Sequence, residues 1–91
     1  MITVECAPTS HGWDCDVEIS EGDRSSRHNV RVSPEDLERW GRPGENDPDS
    51  LVERTFEFLL RHEGPEQILK SFELEVVGRF FPDFDEEMRR R

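Results

Sequence analysis

The sequence predicts an α+β fold in which an N-terminal antiparallel sheet of two or three strands packs against C-terminal helices. Through the first third of the chain, apolar residues alternate with polar ones, which is typical of strands with one solvent-facing side. In the second half, apolar residues recur at steps of three and four, as in amphipathic helices. A chain of 91 residues has room for one domain with one modest core.

Three segments in the first third have the alternation expected of β-strands. They run from Ile2 to Cys6, from Trp13 to Ile19 and from His28 to Val32, and turn-like residues separate them. Short loops join antiparallel neighbours, so the segments fit a meander. If the apolar residues share one face, acidic residues of the second strand meet basic residues of the third on the other: Asp14, Asp16 and Glu18 against Arg27 and Arg31.

A short helix follows the strands. Ser33 can cap it, Pro34 suits its first turn, and Asp36 stands three residues after the cap, as in a capping box. Gly41 is a typical end for such a helix. The composition of residues 42–46 predicts a loop.

Two further helical regions complete the predicted domain, which spans residues 1–82. Asp47 and Pro48 begin the longest amphipathic stretch, which Gly64 ends. A last region, 65–82, carries a stripe of apolar residues that Phe72-Glu73-Leu74 could divide: Ile68, Leu69, Phe72, Val76, Val77, Phe80 and Phe81. Residues 83–91 are highly charged and predict a flexible tail.

The net charge of −10 narrows the classes of partner. Nucleic-acid affinity depends on cations that displace counterions, and anionic lipid repels an acidic surface, so we expect neither nucleic acid nor membrane as a partner. No secretory signal or membrane span is apparent, which favours a soluble, cytoplasmic protein. Eleven of the 12 basic residues are Arg, a bias typical of GC-rich bacterial genomes.

Cys6, His11, Cys15 and His28 are the residues that most resemble a metal set, but their spacing matches no common zinc pattern. Both cysteines fall on the inward parity of their strands, where Cys behaves as a small apolar residue. A Cys6–Cys15 disulfide is geometrically conceivable if the strands pair there, although a reducing cytoplasm disfavours it. His28 has the same inward parity, and we expect it to be buried and hydrogen-bonded.

No pattern of catalytic residues emerges. Asp14 and Asp16 flank Cys15 and would raise its thiol pKa, which opposes a nucleophilic role. The chain lacks the common phosphate-binding, dinucleotide, hydrolase and metalloprotease motifs. We therefore expect a protein that is not an enzyme and uses no cofactor.

Aromatic residues offer the best candidates for binding a partner. Most of the C-terminal phenylalanines fit a core, but Phe81 and Phe84 lie beside Pro82, where one edge could accept a partner or a second copy of the chain. Trp13 and Trp40 could join the same surface, since Trp is frequent at binding hot spots.

Several segments resemble those of a group of short uncharacterised bacterial proteins. They are 13–17 (WDCDV), 28–32 (HNVRV), 58–69 (FLLRHEGPEQIL) and 72–84, which ends in FFPDF. The resemblance covers most of the chain and implies a shared fold. It implies no activity, substrate, cofactor or functional residue.

Two functions from different classes follow. The first is a non-catalytic interaction or accessory module that binds a basic or apolar surface of another protein, with self-association as an option. The alternative is a small metal or thiol site that uses Cys6, Cys15 and His28. Mimicry of nucleic acid by the acidic surface is a third reading, which net charge alone supports.

Overall fold

The computed structural model describes residues 1–41 and 47–89 of the chain. Within them, four strands form one sheet in the order β1-β2-β3-β4: β1 Ile2–Thr9, β2 Gly12–Glu21, β3 Arg24–Val32 and β4 Ser71–Glu73. The described helices are α1 Pro34–Trp40, α2 Pro48–His62, α3 Leu74–Phe80 and α4 Phe84–Arg89, and a 3-10 helix spans Pro65–Gln67. The predicted α+β class is confirmed.

The first three strands form the predicted antiparallel meander. Its register sets Asp14 opposite Arg31 and Glu18 opposite Arg27, so the predicted meeting of opposite charges is confirmed. Asp16 lies opposite Asn29. Because side chains alternate between the two faces, this register places the apolar residues of all three strands on the side that the helices cover.

The turn from β1 to β2 depends on a glycine. Gly12 has a φ of +139°, and a Cβ at this position would lie 2.2 Å from the carbonyl oxygen of Val32. A larger residue would force β2 and β3 apart at that end. Gly22, in the next turn, has a φ of +62° but open space around it, so its requirement for glycine is conformational rather than steric.

The first two helices begin where the sequence predicts. In α1, Ser33 and Asp36 form the reciprocal hydrogen bonds of a capping box. Asp47 caps α2 by accepting a hydrogen bond from the Ser50 backbone nitrogen. The predicted loop over 42–46 lies outside the described residues. Helix α2 buries an apolar face against the sheet and the later helices: Leu51, Val52, Phe56, Phe58 and Leu59.

The region 65–82 is more broken than its apolar stripe predicts. It contains the 3-10 helix, strand β4 and helix α3, so the interruption around Phe72 is a change of structure. Strand β4 pairs in parallel with β3, where Phe72 lies opposite Val30. The pairing satisfies backbone groups at the edge of β3 and brings Phe72 into the core, which an uninterrupted helix could not do.

The sequence predicts a flexible tail over residues 83–91, and the structure corrects this prediction for residues 84–89. Residues 84–89 form α4, and the side chains of Phe84 and Met88 are 0% and 3% exposed. Burying these two apolar side chains outweighs the high charge of their neighbours, which face solvent. The domain therefore continues to Arg89, while residues 90 and 91 lie outside the described part.

The helices of residues 1–41 and 47–89 are all too short or too polar to cross a membrane.

Candidate partner-binding surface

Two of the four predicted partner-binding residues lie in the core. Trp40 and Phe84 are 2% and 0% exposed, and their rings pack edge to face with centroids 5.1 Å apart. The indole Nε1 of Trp40 donates a hydrogen bond to Asp85 Oδ1 at 2.7 Å. Helix α4, missing from the sequence-based prediction, supplies both contacts. Trp40 and Phe84 therefore hold α1 and α4 together and are not available to a partner.

Phe81 is half-buried at the edge of an aromatic cluster. Its ring lies at a right angle to that of Phe58, with centroids 5.7 Å apart, and 5.4 Å from the ring of His62. One side of Phe81 thus packs against α2. It also lines an apolar groove on the surface, so a partner could contact it there.

Trp13 is also half-buried, but it lies elsewhere on the molecule. It borders a depression between the start of β2 and helix α1, together with His11, Arg31 and Asp36. The structure therefore does not bring Trp13, Trp40, Phe81 and Phe84 into one surface. Of the predicted set, Phe81 lines the apolar groove.

An apolar groove of about 330 Å³ lies between the end of α2, the segment before β4, and α3. We call it the C-terminal groove. Its apolar lining includes Leu69, Phe72, Val76, Phe80 and Phe81, and Glu63 contributes a carboxylate. Phe80 is 72% exposed and Leu69 is 58% exposed. Two large apolar side chains that open onto the same groove form a patch of the kind that binds proteins.

Phe80 and Leu69 are exposed because each belongs to a pair of adjacent apolar residues. The apolar residues of this region occur as Ile68-Leu69, Val76-Val77 and Phe80-Phe81. Neighbouring residues point in different directions in a helix or an extended segment. Ile68 and Val77 are buried, whereas their neighbours are more accessible: Leu69 is exposed and Val76 is half-buried. The sequence predicts one continuous apolar stripe that contains all six residues, but the doubled pattern is too wide for a single face.

The outer face of the sheet is open and acidic. Glu5 on β1 lies directly opposite Asp16 on β2. The side-chain amide of Asn29 donates hydrogen bonds to carboxylate oxygens of Asp14 and Asp16. Arg27 pairs with Glu18 at 3.3 Å, and both side chains are exposed to solvent. None of these carboxylates lines the C-terminal groove.

The two cysteines form a disulfide, which corrects the expectation of two buried thiols. Cys6 and Cys15 are directly opposite in the β1–β2 register, with Cα atoms 4.0 Å apart. The inward parity predicted for both residues brings the sulfurs together. While the bond is intact, neither sulfur is a thiolate that could bind a metal or attack a substrate.

His28 is buried and hydrogen-bonded, as predicted. Its Nδ1 lies 2.8 Å from the carbonyl oxygen of Leu69. Because a carbonyl oxygen can only accept, Nδ1 is the donor, and Nε2 of the neutral ring can accept from the Ser26 hydroxyl at 2.9 Å. The ring thus joins β3 to the segment that leads into β4. Within the described residues, no three His, Cys, Asp or Glu side chains cluster as a metal site would require.

The C-terminal groove combines exposure, apolar lining and a defined shape, which makes it the best candidate for a functional surface. Leu59 of α2 and Val76 and Phe80 of α3 contribute to its lining. Such a groove can bind apolar side chains of another molecule. Comparisons of this chain with known protein families, with curated proteins and with solved structures find no match.

Proposed function

We propose that this protein is a non-catalytic interaction module that binds another protein through the C-terminal groove. The observation that carries the proposal is the exposure of Phe80 and Leu69 on one apolar groove. Each side chain would gain roughly 1–2 kcal/mol if a partner removed its exposed surface from water. That gain favours association and has no counterpart in the isolated chain.

The net charge supports a protein partner with a basic surface. At −10, the chain repels nucleic acid and anionic lipid, whereas a basic protein would be attracted to it over several ångströms. A cytoplasmic location and a bacterial origin remain part of this proposal. The Cys6–Cys15 disulfide weighs against the cytoplasm, because such bonds persist mainly in oxidising compartments.

Photo-crosslinking from two positions tests the interaction function. We would replace Phe80 with p-benzoylphenylalanine, and Thr3, on the open sheet face, with the same residue as a control. In lysate of the organism that encodes the chain, we expect a discrete crosslinked protein from position 80 and none from position 3. Identical products from both positions, or no product from position 80, would contradict the proposal.

A thiol site is the second candidate, and the observation that favours it is the disulfide itself. Cys6 and Cys15 could exchange with other thiols or, after reduction, bind a metal together with His28. Zinc analysis and thiol titration of the reduced protein test this function. Stoichiometric zinc or rapid exchange with a small disulfide would support it, whereas two slow thiols without zinc would exclude it.

A further inference from the structure

We infer that the C-terminal groove binds an amphipathic helix of a partner protein, and that a Lys or Arg of that helix pairs with Glu63. The inference rests on the proposed interaction function and adds the shape and charge of the bound segment. The apolar face of the helix would contact Phe80, Leu69 and Val76. Its basic residue would lie at the end of the groove where α2 stops.

The charge of the groove comes from Glu63. Among the described residues that line the groove, Glu63 alone is charged, and its side chain is half-buried. No Lys or Arg within residues 1–41 and 47–89 forms an ion pair with it. A half-buried carboxylate beside an apolar patch interacts more strongly with a cation than a fully hydrated carboxylate does, because less water screens the two charges. A partner that covers the groove must therefore supply that cation or bury the charge unpaired.

Three of the described cations lie within two residues of the groove lining in sequence: Arg61, Lys70 and Arg79. Arg79 on α3 pairs with Glu75 at 2.8 Å. Arg61 on α2 pairs with Glu87 at 3.2 Å. Lys70 follows Leu69 in sequence but borders a depression on the open face of the sheet. None of these three described basic residues pairs with Glu63, so its carboxylate can form an ion pair with a cation of a bound partner.

The geometry favours a helix over an extended segment. An extended peptide binds by adding a strand to a sheet edge, where backbone hydrogen bonds provide its affinity. Beside this groove the edge strand β4 has three residues, and α3 begins at the next residue. Such an edge offers too few backbone groups. A helix instead inserts side chains at i, i+3 or i+4 and i+7 into an apolar groove without needing that edge.

A second copy of this chain is a poor occupant. Each chain carries a net charge of −10, so two copies repel each other as they approach. A basic helix is attracted by the same field. Charge complementarity therefore selects a different protein, with Lys or Arg beside its apolar residues.

A displayed library of helical peptides tests the inference. Each peptide would carry Leu or Phe at positions i, i+3 or i+4, and i+7, with all other positions randomised. Peptides that bind the intact chain would be kept, and those that also bind the Phe80→Ser variant would be removed. We expect selected peptides to be rich in Lys and Arg, and a central proline to abolish their binding.

In fluorescence anisotropy, Glu63→Gln should weaken binding of a selected peptide about fivefold, the effect of one ion pair. Glu66→Gln removes an equal charge from the exposed 3-10 helix and should have little effect.

Several results would overturn the inference. The selection could yield no peptides, or the selected peptides could be rich in Asp and Glu or show no charge bias. Glu63→Gln and Glu66→Gln could also weaken binding equally. If any of these occurs while position 80 still crosslinks to a partner, the interaction function stands and the basic helix is excluded. If position 80 also gives no crosslink, the interaction function itself fails. Dimers in light scattering that Phe80→Ser dissolves would identify a second copy as the occupant.

Discussion

At the scale of single residues, the polar side chains that the described structure buries all have hydrogen-bond partners. His28 bonds to Leu69 and Ser26. Thr55 Oγ1 donates to the carbonyl oxygen of Leu51 at 2.8 Å. Asp36 accepts from the Ser33 backbone nitrogen at 3.0 Å. Unpaired polar groups would each cost about 1–3 kcal/mol, so these partners explain how a chain with few apolar residues keeps polar ones inside.

The first prediction at this scale concerns Asp36. Burial raises its pKa above the ordinary 3.8, the hydrogen bonds with Ser33 oppose this shift, and the charges of Glu75 and Glu35 add to it. The folded protein therefore binds the proton more tightly than the unfolded chain. The resulting stability is fully present below the unfolded pKa and is lost as pH rises through the folded pKa. Asp36→Asn should remove this contribution.

Thermal melts of the wild type and Asp36→Asn across the acidic range check this prediction. The melting temperature of the wild type minus that of the variant should fall as pH rises. Glu35→Gln removes the same charge from an exposed neighbour and should give a flatter difference. A difference for Asp36→Asn that stays constant, or increases with pH, would contradict a raised pKa.

The second residue-scale prediction concerns the disulfide. Cys6 and Cys15 close a short loop, nine residues apart in sequence. By the loop-entropy relation, a crosslink over about ten residues stabilises the fold by about 2–3 kcal/mol. Dithiothreitol should therefore lower the free energy of unfolding, measured with urea, by about that amount. The double variant Cys6→Ser/Cys15→Ser is the control, because the reductant should leave its stability unchanged.

At the scale of elements, the short C-terminal ones are where sequence and structure differ most. Strand β4 and helix α4 have three and six residues, lengths at which local periodicity is a weak guide. β4 exists because β3 offers an unpaired edge, and α4 exists because Phe84 and Met88 reach the core. Both depend on contacts with residues far away in sequence. The longer α2, with its cap and apolar face, was predictable from its own residues.

A pair of phenylalanine variants tests the role of α4. Phe84→Ala should reduce the free energy of unfolding by about 3–5 kcal/mol, because it leaves a cavity in the core. Phe80→Ala removes the same atoms from an exposed position and should change stability by less than about 0.5 kcal/mol. Urea denaturation of both variants gives the comparison. Similar losses for the two would mean that Phe80 is buried or that Phe84 is not.

At the scale of the whole molecule, the negative charge is spread along the chain, whereas the exposed apolar residues Leu69 and Phe80 meet at the C-terminal groove. The open sheet face carries the carboxylates of Glu5, Asp14, Asp16 and Glu18, while the described lining of the C-terminal groove is apolar except for Glu63 and Gln67. The net charge of −10 opposes compaction through self-repulsion. The same repulsion opposes contact between two copies of the chain. One property thus lowers stability and disfavours self-association.

Salt should therefore stabilise this protein. Raising sodium chloride from about 20 mM to about 300 mM shortens the Debye length to well under 10 Å and should raise the melting temperature. The exposed ion pairs contribute little, so weakening them should not cancel the gain. A melting temperature that falls with salt would show that ion pairs matter more than repulsion.

A matched pair of charge variants locates the repulsion. Glu5→Lys places a cation opposite Asp16, whereas Glu21→Lys places one opposite Arg24. Both change the net charge from −10 to −8 by losing one negative and gaining one positive charge. Glu5→Lys should raise the melting temperature at low salt more than Glu21→Lys does, because only Glu5→Lys replaces a like-charge pair.

The sequence by itself determined the meander, its charge-matched register, the capped helices α1 and α2, and the inward positions of Cys6, Cys15 and His28. Each of these follows from residues that are close in sequence or from a strict two-residue period, which excludes a one-residue slip because that slip would turn every apolar side chain to the open face. The tertiary structure alone decided that the cysteines bond, that Phe84 is buried and that Phe80 is exposed. These outcomes depend on which of several apolar residues reaches a core of limited volume, and that competition is settled by packing between distant segments.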